Sequence, residues 1–370
     1  MTDTINRLIE LAVQIQQIPA PTFAEGSRAE FVRSLFLQEN LQDVSTDALG
    51  NVYARLAGIS GIGNPAHIEP LVVSAHLDTV FPDGSELVAR RAADKVFGAG
   101  MGDNALGVAS LFGLIWLLRE RETRLKGDVW LVADVGEEGL GDLCGMRGVV
   151  ERFGAGVIGY LIVEGLALGH VYHRAVGVRR YRISVQTAGG HSWSDYGRPS
   201  AVHELAALIT QLTKISLPHE PRTTLNVGTF HGGTGINVLA SAAVCDLDLR
   251  SEHASVLTAL VGQTEELIGN ANREGVKVVA EVIGQRPAGE IPVAHPFVRL
   301  GLDALKEQGL EAVLTSGSTD ANIPLSRGLP ALVLGVTTGG GAHTTGEYID
   351  VEPIEKGMEQ LVRFVERAWD

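Results

Sequence analysis

Two histidines and five acidic residues stand at positions from which they could bind metal together. Each follows a short apolar run or opens a helical stretch: His76, Asp78, Asp103, Glu137, Glu138, Glu164 and His343. The carboxyl ends of parallel strands share one edge of an α/β sheet, so these side chains would meet there if the runs are parallel strands. Carboxylates crowd together only when positive charge compensates their repulsion. The pattern therefore predicts a site for two metal ions.

The types of these side chains also indicate the metal and the chemistry. Imidazole and carboxylate ligands without cysteine suit Zn²⁺, with Co²⁺ or Mn²⁺ as substitutes. A bridging carboxylate can hold two such ions about 3.5–4 Å apart, as co-catalytic hydrolases require. Asp78 follows His76 by two residues, so its carboxylate can accept the imidazole N–H and fix the tautomer. Glu137 and Glu138 are adjacent, so one can bind metal while the other acts as general base.

The elements that must position these residues are strands of an α/β sheet. Continuous apolar runs are typical of strands buried on both faces, and helical spacing separates them. We predict strands at 51–56, 71–75, 129–133, 157–163 and 331–336, with helices at 5–18, 104–120 and 296–308. Near residue 176 the pattern becomes alternating, and the element order over 177–286 is βαββαβ, as in a ferredoxin-like fold. We therefore expect one domain at 1–176 and 287–370, interrupted by an insert at 177–286.

Composition and local motifs exclude several other classes of protein. Thirty Lys and Arg against 44 Asp and Glu give a net charge of −14, which argues against nucleic-acid or membrane partners. The two cysteines, Cys144 and Cys245, form no CxxC pair, and the first residues lack a signal-peptide pattern, so we expect a cytoplasmic protein. Asp103 stands where a GxGxxG loop needs its third glycine, and Ala207 stands where HExxH needs its second histidine.

Taken together, these motifs resemble the co-catalytic zinc carboxypeptidases and aminoacylases over essentially the whole chain. That family includes glutamate carboxypeptidase, acetylornithine deacetylase, succinyl-diaminopimelate desuccinylase and several di- and tripeptidases. The resemblance implies an α/β catalytic domain with a mixed, mostly parallel sheet and an inserted ferredoxin-like α+β lid and dimerisation domain. It also implies a role for each candidate ligand. Asp103 would bridge the ions, His76 and Glu164 would complete one, Glu138 and His343 would complete the other, and Glu137 would be the base.

The insert carries three further residues that match the family. Ala188-Gly189-Gly190-His191-Ser192 is similar to a lid segment whose histidine reaches a neighbouring subunit's active site and helps to bind the oxyanion. Asn237 and Arg250 match residues that bind the substrate's carboxylate, although Arg250 could instead form an ion pair with Asp248 or Glu252. This resemblance implies a homodimer formed through the lid.

One departure from the family pattern concerns the substrate. Asp103-Asn104-Ala105-Leu106-Gly107 lacks the lysine that many members carry there and is similar to the related zinc aminopeptidases. Glutamate at position 164 favours the carboxypeptidase, acylase and deacetylase members.

The sequence therefore predicts a hydrolase that cleaves an amide bond of a peptide or N-acyl amino acid through a metal-bridging hydroxide. It would be carboxypeptidase- or deacylase-like, with two Zn²⁺ ions. Two alternatives stay open. One is an aminopeptidase or di/tripeptidase of the same clan, and the other is a metal-stabilised binding or scaffold protein.

Overall fold

The structure is a computed structural model that describes residues 3–59 and 68–370. Within it the chain divides into two compact units. The split unit comprises Met1–Ala175 and Glu290–Asp370, and the inserted unit comprises Val176–Gly289.

Before the insert, the split unit begins with two helices and a run of strands, and its helices and strands then alternate from Lys95–Phe97 to Gly159–Glu164. They are α1 (Asp3–Gln16), α2 (Gly26–Gln38), β1 (Gln42–Thr46), β2 (Val52–Leu56), β3 (Leu71–His76), β4 (Arg90–Arg91), β5 (Lys95–Phe97), α3 (Leu106–Glu120), β6 (Val129–Asp134), α4 (Cys144–Phe153), β7 (Gly159–Glu164) and β8 (His170–Ala175).

The inserted unit follows, and the split unit then resumes. The inserted unit contains β9 (Gly177–Thr187), β10 (Gly190–His191), α5 (Ala201–Leu212), β11 (Thr223–Gly232), β12 (Val238–Leu239), β13 (Ala242–Ser251), α6 (Ala254–Ala271) and β14 (Val276–Arg286). After it come β15 (Gly289–Glu290), α7 (Pro296–Glu307), β16 (Val313–Gly317), α8 (Asn322–Ser326), β17 (Ala331–Gly335), β18 (Gly339–Gly340), β19 (Tyr348–Asp350) and α9 (Ile354–Glu366).

The central sheet of the split unit is mixed and mostly parallel, as predicted. Its strand order is β1-β2-β6-β3-β7-β17-β8, with β16 also paired to β8. The strands β6, β3, β7 and β17 run parallel. β2 is antiparallel to β1 and β6, and β8 is antiparallel to β17 but parallel to β16. Every residue of β3 is buried. Burial on both faces explains why these strands appear in the sequence as continuous apolar runs.

Helix α3 is the central helix of the split unit, and it begins later than the sequence predicts. Residues Met101–Ala105 form a π-type turn in which Asp103 has non-helical angles (φ −119°, ψ 83°), so Asp103 precedes the helix. The stretch Met101–Glu120 is long and apolar enough to cross a membrane by length and composition. However, 89% of its most apolar window is buried within the protein, as in the core helix of a globular domain.

The inserted unit has the strand order of a ferredoxin-like fold. Its main sheet is antiparallel with the order β11-β13-β9-β14. Along β9 the buried residues Tyr181, Ile183 and Val185 alternate with more exposed ones. These side chains share a hydrophobic core with the buried leucines of α5 and with Leu260 and Ile268 of α6. The one-sided burial accounts for the alternation seen in the sequence.

Gly357 lies where α9 packs closely against the end of β17. A Cβ at Gly357 would lie 1.7 Å from the main-chain oxygen of Val336. Because backbone atoms must move to admit it, we expect Gly357→Ala to lower the free energy of unfolding by about 1–3 kcal/mol.

Gly262 of α6 is the matched control, because among the residues that the structure describes nothing lies within 4 Å of the position of its Cβ. We expect Gly262→Ala to raise the free energy of unfolding by up to about 1 kcal/mol, since alanine is the better helix former. Urea unfolding of both variants measures the difference, and equal effects would contradict this account of the packing.

Candidate metal centre

The first group of candidate ligands lies at the carboxyl ends of β3 and β7. His76 ends β3, and Glu164 ends β7, the parallel neighbour of β3. The Nε2 atom of His76 lies 3.1 Å from Oδ1 of Asp103 and 3.7 Å from Oε2 of Glu164. Ligand atoms of these three residues all lie within 4.8 Å of one another, which is close enough to surround one ion.

The second group shares Asp103 with the first. The Nε2 atom of His343 lies 2.9 Å from Oδ2 of Asp103 and 3.1 Å from Oε1 of Glu138. Ligand atoms of these three residues also lie within 4.8 Å of one another. One oxygen of Asp103 therefore faces His76 and the other faces His343. A carboxylate that presents its two oxygens to two ligand groups is suited to bridging two ions.

Asp78 links His76, at the end of β3, to the adjacent residues Glu137 and Glu138. Its Oδ1 atom accepts a hydrogen bond from the backbone N–H of Glu137 at 3.0 Å, and its Oδ2 atom accepts one from Glu138 at 2.9 Å. Oδ2 also accepts a hydrogen bond from the hydroxyl of Thr22 at 2.9 Å. The Nδ1 atom of His76 lies 3.1 Å from the main-chain oxygen of Asp78 and 3.4 Å from its Oδ1. Asp78 thus holds the turn that carries Glu137 and Glu138 as well as orienting His76.

The pKa values of the cluster reflect crowded charge. Burial opposes ionisation of Asp103, but hydrogen bonds from His343 and His76 outweigh it, so the pKa of Asp103 is lowered. The contact with Asp103 raises the pKa of His343 to about 9. Burial and then the charge of Asp103 raise the pKa of Glu138 to about 7. Near neutral pH the cluster therefore holds protons, which bound cations would replace.

The donor set fits two divalent cations of the Zn²⁺ type. Each group offers one imidazole nitrogen and carboxylate oxygens, the ligands that Zn²⁺, Co²⁺ and Mn²⁺ share. The half-buried Glu164 carboxylate has its pKa raised by desolvation, so its charged form needs a compensating partner. Bound cations would supply that charge.

The three candidate substrate residues all lie in the inserted unit, where the structure brings two of them together. β10 pairs with β12, and the backbone N–H of Ser192 donates to the main-chain oxygen of Asn237 at 3.0 Å, so His191 and Asn237 are neighbours. Arg250 is separate from them, because it pairs in register with Val178 at the opposite end of β9. Its Nε atom donates to Asp248 at 2.7 Å, the ion pair that the sequence left open.

Glu347 and Asn104 hold the turn Met101–Ala105, which contains Asp103, and the sequence did not predict this role for either residue. Glu347 is fully buried, and its carboxylate accepts backbone N–H bonds from Gly100, Gly102 and Asp103. Burial raises the pKa of Glu347 to about 7. The Asn104 side chain is bonded to the backbone of Val163 and Gly165, on either side of Glu164. The only signal for Glu347 in the sequence was its place four residues after His343.

Acid–histidine groups at the carboxyl edge of an α/β sheet are suited to holding metal ions. The chain belongs to peptidase family M20/M25/M40, whose model matches residues 72–367. This membership confirms the family resemblance and the assignment as an enzyme, and it sets aside the scaffold alternative.

Two relatives align with most of this chain. The protein is 23% identical to the uncharacterized protein YqjE of Bacillus subtilis over 98% of both chains. It is 27% identical to the acetylornithine deacetylase of Erwinia tasmaniensis over 80% of this chain and 79% of that protein.

Solved structures of peptidases share the fold. The tripeptidase of Staphylococcus aureus aligns with a TM-score of 0.83 at 19% identity, covering 98% of both chains. The aminopeptidase PepT of Bacillus cereus aligns with a TM-score of 0.80 at 22% identity, covering 99% of both chains. A dinuclear metal-binding peptidase of family M20 from Bacillus subtilis aligns with a TM-score of 0.71 at 17% identity, covering 98% of both chains.

The raised pKa values of His343 and Glu138 predict how metal binding depends on pH. Below about 9 for His343 and about 7 for Glu138, each group holds a proton that a cation must displace. We therefore expect the apparent affinity for Zn²⁺ to rise as the pH increases from about 6 to about 9, with proton release on binding. Calorimetry in two buffers of different ionisation enthalpy measures the protons released. An affinity that stays constant across this range would contradict the proposed ligands.

Proposed function

We propose that the protein is a dinuclear metal-dependent hydrolase that cleaves an amide bond of a small peptide or an N-acyl amino acid. The observation that carries the proposal is the sharing of Asp103, whose two oxygens face His76 and His343. Asp103, His76 and Glu164 would hold one ion, and Asp103, Glu138 and His343 would hold the other. We propose Zn²⁺ as the metal, with Co²⁺ or Mn²⁺ as substitutes.

Bound cations would polarise the scissile carbonyl and lower the pKa of water. The protein supplies the proton transfers. Glu137 is buried and its backbone is held by Asp78 beside the ligand Glu138. We propose that its carboxylate removes a proton from the attacking water and passes it to the leaving amine. Asp78 is the positioning residue for this step, because it fixes the turn that carries Glu137.

The substrate class is proposed from the relatives and from the insert. The likeness to acetylornithine deacetylase and the presence of Glu164 favour a carboxypeptidase- or deacylase-like activity on a substrate with a free carboxylate. A di/tripeptidase or aminopeptidase activity is the second candidate. The motif Asp103-Asn104-Ala105-Leu106-Gly107 favours it. Hydrolysis of N-acyl amino acids compared with di- and tripeptides, each with added Zn²⁺, Co²⁺ or Mn²⁺, distinguishes the two.

A cytoplasmic location is part of the same proposal. Cys144 and Cys245 are both free thiols, which suits a reducing compartment.

Replacing the proposed base tests the mechanism directly. We expect Glu137→Gln to lower kcat by about 100- to 10,000-fold, the usual contribution of a positioned general base. The metal content of the variant should stay at the wild-type level, because Glu137 is not among the proposed ligands. Turnover near the wild-type rate with metal bound would remove Glu137 from this role.

The inserted unit supports a dimer in which substrate groups come from two chains. The Nδ1 atom of His191 accepts backbone N–H bonds from Trp193 and Ser194, so the ring proton lies on the exposed Nε2, where it can be donated to an oxyanion. Arg250 and the His191 end of the sheet are separated by the length of β9, about 30 Å at the usual rise per residue. A small substrate cannot touch both ends. We therefore propose that His191 and Asn237 of one chain serve the substrate bound by its partner.

Mixing two inactive variants tests this sharing. We expect His191→Ala and Glu137→Gln each to be nearly inactive alone. A mixed dimer would contain one site with an intact Glu137 from one chain and an intact His191 from the other, so activity should return on mixing. Sedimentation measures the oligomeric state. An active monomer, or no recovery from demonstrated mixed dimers, would contradict the proposal.

A further inference from the structure

Glu347 joins two loops that carry candidate ligands from distant parts of the chain. Its Oε1 atom accepts hydrogen bonds from the N–H groups of Gly102 at 2.7 Å and Asp103 at 2.8 Å, and its Oε2 atom accepts one from Gly100 at 3.0 Å. Its main-chain oxygen accepts a further bond from Gly98 at 2.9 Å. A fully buried carboxylate with three backbone donors is strongly held in place.

Glu347 is equally well anchored on the side of His343. It lies four residues after His343, and its own N–H donates to the main-chain oxygen of Thr344 at 3.2 Å. The N–H of Thr344 in turn donates to Gly341 at 3.0 Å, which closes the turn containing His343. The next residue, Tyr348, begins β19, which pairs with β5 immediately before the Asp103 turn. Any shift of Glu347 would therefore move Asp103 and His343 relative to each other.

On the side of β7, the turn that contains Asp103 is held by the side chain of Asn104. The Nδ2 atom of Asn104 donates to the main-chain oxygen of Val163 at 2.9 Å, and its Oδ1 atom accepts the N–H of Gly165 at 2.9 Å. These two bonds tie the turn to the end of β7, where Glu164 stands. The group of Asp103, His76 and Glu164 is thus held by strand ends and by Asn104, in addition to the hydrogen bond between Asp103 and Glu347.

We propose that Glu347 is a positioning residue that sets the place of Asp103 relative to His343 and so determines the affinity for one of the two ions. This proposal rests on the proposed dinuclear site. The ion affected is the one assigned to Asp103, Glu138 and His343. The side chain of His343 is 55% exposed and its φ is +64°, a left-handed conformation that a non-glycine residue keeps only when its surroundings impose it.

Stepwise metal titration of Glu347→Gln tests the proposal. The apo-protein is titrated with Zn²⁺ by calorimetry and with Co²⁺ by visible absorption, whose bands report the geometry of each ion. We expect the variant to bind one ion with nearly wild-type affinity and the other about 10- to 100-fold more weakly, as when residues that orient metal ligands are replaced. Saturating metal should then restore most of kcat, which it should not do for Glu137→Gln.

Asp47→Asn is the matched control, because Asp47 also accepts three backbone N–H bonds, from Leu49, Gly50 and Asn51. We expect it to lower stability without changing the affinity for either ion. If Glu347→Gln does not fold by circular dichroism, Glu347→Asp keeps the charge with a shorter reach and should show the same selective loss.

The outcomes separate the two proposals. A wild-type protein that binds fewer than two ions would overturn the dinuclear function itself. A wild-type protein that binds two ions, with a folded Glu347 variant that binds both normally or loses both equally, would overturn the role of Glu347 alone.

Discussion

Repulsion among carboxylates at one edge of the sheet is the constraint on which the rest of this structure depends. Asp103 lies within reach of His76 and His343, whereas Glu164 lies near His76 and Glu138 near His343. Burial raises the pKa of both glutamates. Such a cluster is stable only if protons or cations neutralise part of the charge. The hydrogen bonds around it hold the backbone in place, and contacts with the carboxylates raise the pKa of both His76 and His343.

The fold meets this constraint by using different supports for different ligands. His76 and Glu164 end buried parallel strands, so the sheet itself fixes them. Asp103 lies in an irregular turn, where the side chains of Asn104 and Glu347 replace the support that a strand would give. Glu138 depends on Asp78 through a single backbone hydrogen bond. The buried polar groups Asp78, Asn104 and Glu347 therefore hold the backbone that carries the candidate ligands.

The strands and the ligand types could be predicted because each depends on local sequence. The apolar runs that became β3, β6, β7 and β17 are continuous, and the candidate ligands follow them within a few residues. The supports could not be predicted in the same way. Asp78 bonds Glu137 across 59 residues and Glu347 bonds Asp103 across 244, and nothing in the sequence near either acid indicates its partner. The separation of Arg250 from Asn237 likewise became visible only from the register of β13 on β9.

The position of β17 has a consequence for how this protein is made. β17 lies between β7 and β8, yet it is synthesised only after the whole inserted unit. A nascent chain that has already released β7 and β8 therefore carries a gap in its central sheet, with unpaired backbone groups on both sides of that gap. His343 follows β17 by a few residues, so the second ligand group is also incomplete until then. The sheet closes and both candidate ligand groups are complete only after the inserted unit has been synthesised.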